Sequence, residues 1–211
     1  MKTEQLVASL VADRAHSSAP LGRSVARAVA LGFLVSLVLF AVEFGPRVDL
    51  AAAFATWRFD LKLVLMLAAL FAAAGACIAL ARPLASGAWR RGVALLAFIA
   101  LSGLAVELIL APAGTWGARL VGSNAFVCLT AIPLFALAPL AGLLLVLRRA
   151  APASPALAGA ASGALAAAVA ASLYAFHCFD DSPLFVLTWY PLAALPVIFL
   201  GAVVGHRLLR W

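Results

Sequence analysis

The residues best able to do chemistry gather in one short stretch: His177, Cys178, Asp180, Asp181 and Ser182. Thiolate, imidazole and carboxylate together can bind a soft or borderline metal ion. Cys128, Cys178, His177 and Asp180 therefore form a candidate metal set, although their spacing is not that of a structural zinc site. A reversible disulfide is the second chemistry open to the thiols, and it requires Cα atoms about 4.4–6.8 Å apart. Spacing alone leaves open whether Cys128 and Cys178 are a pair or two unrelated thiols. No CxxC is present, which argues against a thioredoxin-type redox enzyme. Asp181-Ser182-Pro183 also has a purely structural reading, an Asp or Ser helix cap with proline in the first turn.

Two further carboxylates, Glu43 and Glu107, fall near the same side once the apolar runs are placed. Glu107 lies about a turn and a half inside its run. An ionised carboxylate in lipid costs at least about 2.5 kcal/mol, so it is a functional candidate by default, either paired with Arg119 or protonated. Walker, HExxH and GxSxG motifs are absent, and no enzyme activity is expected. Cys77 reads as a small buried hydrophobe.

The elements that position these groups are long and apolar. Of the 211 residues, 66% are hydrophobic and 11% charged, more apolar surface than a soluble domain of this size can bury. Helices are expected over roughly 26–46, 61–81, 93–112, 124–147, 156–176 and 184–206, each near the ~20 residues that cross a hydrocarbon core. The fold class is thus an all-α polytopic bundle of six transmembrane helices. Lys2, Arg14, Arg23, Arg27, Arg82, Arg90, Arg91, Arg148, Arg149, Arg207 and Arg210 lie at the termini and in the even-numbered loops. The positive-inside rule then makes both termini cytoplasmic, with a bacterial inner membrane as the expected location. The net charge of +7 follows from topology and anionic lipid and does not argue for nucleic acid. Six of the eight acids fall on or near the outer side.

Two units follow: an N-terminal segment and tether over 1–24, and the six-helix domain over 25–211. The first 24 residues are mixed and polar, so no cleavable signal peptide is expected. Over residues 1–15, Leu6, Val7, Leu10 and Val11 recur at helical spacing and form one apolar face. So short a helix is marginal in water and needs a surface, either the inner leaflet or a soluble partner. Residues 16–24 read as a tether broken by Pro20 and Gly22. Gly159/Gly163 in the fifth run and Gly201/Gly205 in the sixth have GxxxG spacing, a close-packing device in lipid. Pro133, Pro139, Pro191 and Pro196 should kink the fourth and sixth helices. Trp189-Tyr190 and Trp57 fit an interfacial aromatic belt.

The ends of the chain carry a resemblance. MKTEQLVASLVAD at the start, YAFHCFDDSPLFVLTWY from Tyr174, Gly201, Gly205 and the closing RLLRW together resemble the NrsF-type membrane anti-sigma factors. That resemblance implies six helices with the N-terminus inside and no cofactor beyond a transient metal ion at a cysteine pair. It further implies an extracytoplasmic-function sigma factor as partner, held by residues 1–15 and released on a periplasmic metal or oxidative signal sensed by Cys128 and Cys178. A competing reading from another class is a small transporter or channel using Glu107 and the proline-kinked helices.

Overall fold

The computed structural model describes residues 21–83 and 87–210. The N-terminal segment with Leu6, Val7, Leu10 and Val11 lies outside the described residues, as does Trp211. The described residues form eight α-helices: α1 (Leu21–Glu43), α2 (Leu50–Ala53), α3 (Trp57–Leu80), α4 (Trp89–Leu110), α5 (Trp116–Val121), α6 (Ala125–Leu147), α7 (Pro155–Tyr174) and α8 (Pro183–Leu208). Among the described residues there is no strand. Six helices (α1, α3, α4, α6, α7 and α8) are long and apolar enough to cross a membrane.

The helix bounds differ from hydropathy alone at positions where local chemistry decides. α1 ends before Gly45, which turns the chain at φ +68° ahead of Pro46, so the helix cannot run to 46. At its other end α1 already includes Gly22 and Ser24, so residues 21–24 of the expected tether are helical. α3 begins at Trp57 because the Thr56 hydroxyl caps the Phe59 N–H. Its first turns therefore take in Arg58, Asp60 and Lys62, charged residues that hydropathy would leave largely to the loop.

α7 is the centre of the bundle. It has the largest buried share of the six long helices, 72%, and consists mostly of Ala and Gly, so α3, α6 and α8 pack closely against it. The two GxxxG motifs meet. A Cβ on Gly205 would stand 2.6 Å from the Gly159 Cα, and one on Gly163 would stand 2.7 Å from the Ile198 Cα. α6 packs against α1 on its other side, where a Cβ on Gly32 would lie 2.7 Å from that of Pro139. α4 is peripheral, packed on α3 and on the edge of α8, with only 11% of its span buried. Leu95, Phe98, Leu101 and Ile109 on α4 are exposed, leaving an apolar face uncovered by the bundle.

Candidate functional site

The first, third and fifth connections between the long helices meet at one end of the bundle. Residues 175–182, between α7 and α8, are bonded there to each of the others. The Arg47 N–H donates to the Phe176 carbonyl at 2.9 Å, and His177 Nδ1 lies 3.1 Å from the Gly45 carbonyl oxygen. From α3, Lys62 Nζ donates to the Cys178 carbonyl at 2.7 Å. From the start of α6, the Ser123 and Asn124 backbone N–H groups donate to Asp180 Oδ2 at 2.9 and 2.8 Å. The Ser182 hydroxyl reaches Glu107 Oε1 of α4 at 3.0 Å.

Two ion clusters complete this end. In the first, the Asp181 carboxylate accepts from Arg47 Nη1 and Lys62 Nζ, both at 2.8 Å, while Arg47 also forks onto both oxygens of Asp49. Lys62 is only 1% exposed, and Arg47 lies over the Phe179 ring at 4.7 Å. Such a buried cation persists only because carboxylate and carbonyl oxygens satisfy it. The guanidinium of Arg47 holds the Asp49 carboxyl below its ordinary range, and hydrogen bonding to Asp49 raises Arg47 above its own, against the opposing effect of burial. In the second cluster, fully buried Glu107 accepts from Arg58 Nε at 2.8 Å and Arg119 Nη1 at 3.1 Å. Pairing with Arg119 is one of the two expectations for Glu107, the other being protonation; the second arginine and the serine are in neither. With three donors on its carboxylate, Glu107 is a neutralised structural acid, and the transporter reading draws no support from it.

Cys128, in the first turn of α6, and Cys178, in the connection between α7 and α8, are fully buried at this end, where Tyr174 and Tyr190 are buried too, and both thiols are free. Burial raises the Cys178 thiol above its ordinary value, with Lys62 opposing. The Tyr190 hydroxyl is buried here with no well-formed hydrogen bond, so Tyr190 belongs to the core and not to an interfacial belt. Cys77 is buried elsewhere, its sulfur 3.7 Å from the Ser162 hydroxyl, as a small core residue should be.

The expected four-ligand metal set is not assembled. Among the described residues, no three His, Cys, Asp or Glu side chains are grouped to hold a metal ion. His177 faces Gly45 and stacks 4.7 Å from the Phe44 ring, and Asp180 is engaged by the N-terminus of α6. The cap reading of 181–183 also changes. Ser182 is the N-cap residue by position and Pro183 opens α8, but the serine hydroxyl goes to Glu107 and Asp181 goes to the cations. Sequence reasoning missed Arg47, Arg58 and Lys62 as members of this site and named Arg119 only as one option for Glu107. Their signal was present: they are the four basic residues that the positive-inside pattern leaves on the acidic side, where each has an acid to pair with.

Residues 10–211 match the NrsF family, described as negative regulator of sigma F. Over 217 residues and the full length of both chains, the sequence is 32% identical to the anti-sigma-F factor NrsF of Caulobacter vibrioides (strain NA1000 / CB15N). It is 30% identical over 215 residues, again spanning both chains, to the probable anti-sigma-F factor NrsF of Azospira oryzae (strain ATCC BAA-33 / DSM 13638 / PS). No solved structure is significantly similar to it.

Proposed function

The chain belongs to the NrsF family of negative regulators of sigma F, and from that premise we propose that it is a membrane anti-sigma factor. The full-length similarity to anti-sigma-F factors is the observation that carries this reading. The six long helices cross a bacterial inner membrane, with both termini in the cytoplasm. The eleven basic residues at the termini and even-numbered loops support that orientation. The ion-paired end then faces the periplasm.

The partner is a sigma factor of the extracytoplasmic-function class, held by residues 1–15. Leu6, Val7, Leu10 and Val11 provide an apolar helical face that docks in a groove of that partner and keeps it from RNA polymerase. Cys128 and Cys178 are the sensing pair. Their full burial at the same end of the bundle, Cys128 in the first turn of α6 and Cys178 in the α7–α8 connection, supports this, because a metal ion or oxidant reaching both thiols would act on α6 and on the approach to α8. Moving the partner from 99% bound to 99% free requires about 5.5 kcal/mol of difference between the two states.

The test is a pull-down from detergent-solubilised membranes, comparing the intact chain with one lacking residues 1–15. Capture of a sigma factor by the intact chain alone supports the reading and locates the contact. Failure of both forms to capture one overturns it. Normal release under metal or oxidant by the double variant Cys128→Ser, Cys178→Ser would remove the sensing role.

A further inference from the structure

We propose that the outer face carries a binding cleft for a phosphoethanolamine-type zwitterion, with Arg58 and Arg119 taking the phosphate and Asp180 the ammonium. An open cleft of about 500 Å³ is lined by these three residues together with Asp181, Ser182 and Phe179. On one wall, two guanidinium groups share a single buried carboxylate, Glu107. One cation suffices to neutralise one acid, so this trio retains a surplus positive charge. Each arginine side chain is about 30% exposed, 28% for Arg58 and 31% for Arg119, so the edges not spent on Glu107 are open to the cleft. Arg58 uses only Nε on an acid, and Arg119 uses Nη1 and Nε; the remaining guanidinium N–H groups make no hydrogen bond to the protein among the described residues. Two part-filled guanidinium forks are the donor arrangement that suits phosphate oxygens.

The opposite wall has the complementary charge. Both oxygens of Asp181 are taken by Arg47 and Lys62. The Asp180 carboxylate instead has no cation in contact, Lys62 Nζ reaching only the Asp180 backbone carbonyl at 3.4 Å, and its charge rests on neutral donors concentrated on Oδ2. Its Oδ1 has one weak contact, the Ser123 hydroxyl at 3.5 Å, which leaves an acceptor for an ammonium group. A cation pair and a carboxylate oxygen with spare acceptor capacity, Asp180 Oδ1, in one cleft match a molecule that carries both charges. Two half-exposed indoles, Trp57 and Trp116, occur beside Arg58 and Arg119 in sequence, as at the headgroup level of a bilayer.

The occupant is either a phospholipid headgroup or a free zwitterion, and the experiment separates them. The intact chain is reconstituted in nanodiscs of mixed phosphatidylethanolamine, phosphatidylglycerol and phosphatidylcholine, and retained lipid is measured by native mass spectrometry after delipidation. Enrichment of phosphatidylethanolamine is expected, since the methylated ammonium of phosphatidylcholine cannot donate to Asp180. Displacement by added free phosphoethanolamine assigns the soluble form as an equally good ligand; no displacement assigns the lipid. Asp180→Asn should abolish discrimination between phosphatidylethanolamine and phosphatidylglycerol, while Arg119→Gln should lower retention of both by about tenfold, the scale of one lost charge-assisted contact. Thermal unfolding of each variant verifies its fold, and the double change Arg58→Gln, Glu107→Gln provides a charge-balanced second test of the phosphate side. Equal retention of all three lipids, or unchanged retention in the variants, overturns the proposal. The assay involves no sigma factor, so its outcome is independent of the anti-sigma reading.

Discussion

Ser36 of α1 donates its hydroxyl to the backbone carbonyl of Phe135 in α6 at 2.7 Å. That carbonyl is the one Pro139, four residues on, has no N–H to satisfy. An orphaned carbonyl buried in an apolar helix bundle is costly, and a serine from the neighbouring helix repairs the defect. Gly32, one turn before Ser36, lets the α1 backbone come near enough to Pro139 for this to happen.

Ser36→Ala should therefore cost about 1–2 kcal/mol of stability, the penalty of a buried acceptor left unmade. The effect should largely vanish in a Pro139→Ala background, where α6 satisfies its own carbonyl. A double-mutant cycle read by thermal unfolding in detergent measures the coupling. Additive effects would show that the serine does not serve the proline's carbonyl.

At the α7–α8 contact, Gly159→Leu should lower stability by several kcal/mol, about 3 or more, because the Gly201 and Gly205 backbones occupy the space. Gly75→Ala is the control, since nothing lies within 4 Å of its missing Cβ. It should be neutral or slightly stabilising through helix propensity. Comparing unfolding midpoints of the two variants is sufficient.

Removing the Asp181 carboxylate should be more damaging than its partial exposure suggests. Asp181→Asn takes away the counter-ion of Lys62, which is 1% exposed, and breaking such a buried pair typically costs about 3–5 kcal/mol. Lys62→Met in the same background should recover much of that loss by removing the stranded charge. Melting temperatures of the single and double variants decide it, and a double variant no better than the single would count against the pairing.

Cys178 should react slowly with alkylating agents in the folded chain. Its thiol lies above the ordinary 9.0 because burial disfavours the thiolate, and the thiolate is the nucleophile. A thiol raised on folding contributes stability below its ordinary value and loses it as pH rises through the shifted one. Maleimide labelling of Cys77→Ser, Cys128→Ser protein at pH 7 should thus be at least about tenfold slower than in denatured chain, accelerating above pH 9. Equal rates at pH 7 would show the thiol to be accessible and unshifted.

The long helices were legible because lipid leaves one signal, sustained apolarity, at the length of a span. Their ends were less so. α3 starts at Trp57, ahead of the expected 61, and Lys62, inside the run either way, is tolerable in burial because Asp181 and the Cys178 carbonyl, more than 110 residues away, satisfy it. Glu107 was recognisable as unusual, but the count of its partners depends on how α3, α5 and α8 converge, which no local pattern encodes. The metal set failed for a related reason. Neighbours in sequence, His177, Cys178 and Asp180, take separate partners: His177 Nδ1 lies by the Gly45 carbonyl, the Cys178 thiol by the Asp180 carbonyl of its own loop, and the Asp180 carboxylate at the N-terminus of α6.

The dependence of the polar end on residues 176–182 also sets a timetable for making the molecule. Arg47 and Lys62 emerge from the ribosome early, but the carboxylate they share, Asp181, follows 134 and 119 residues later. Until the final hairpin of α7 and α8 is in place, the start of α3 and the connection before it carry cations without their shared counter-ion, and α6 lacks the acid at its N-terminus. A chain truncated before Asp180 leaves Lys62 without a carboxylate and Arg47 with Asp49 alone, so the charge balance of this end is completed only by the last hairpin.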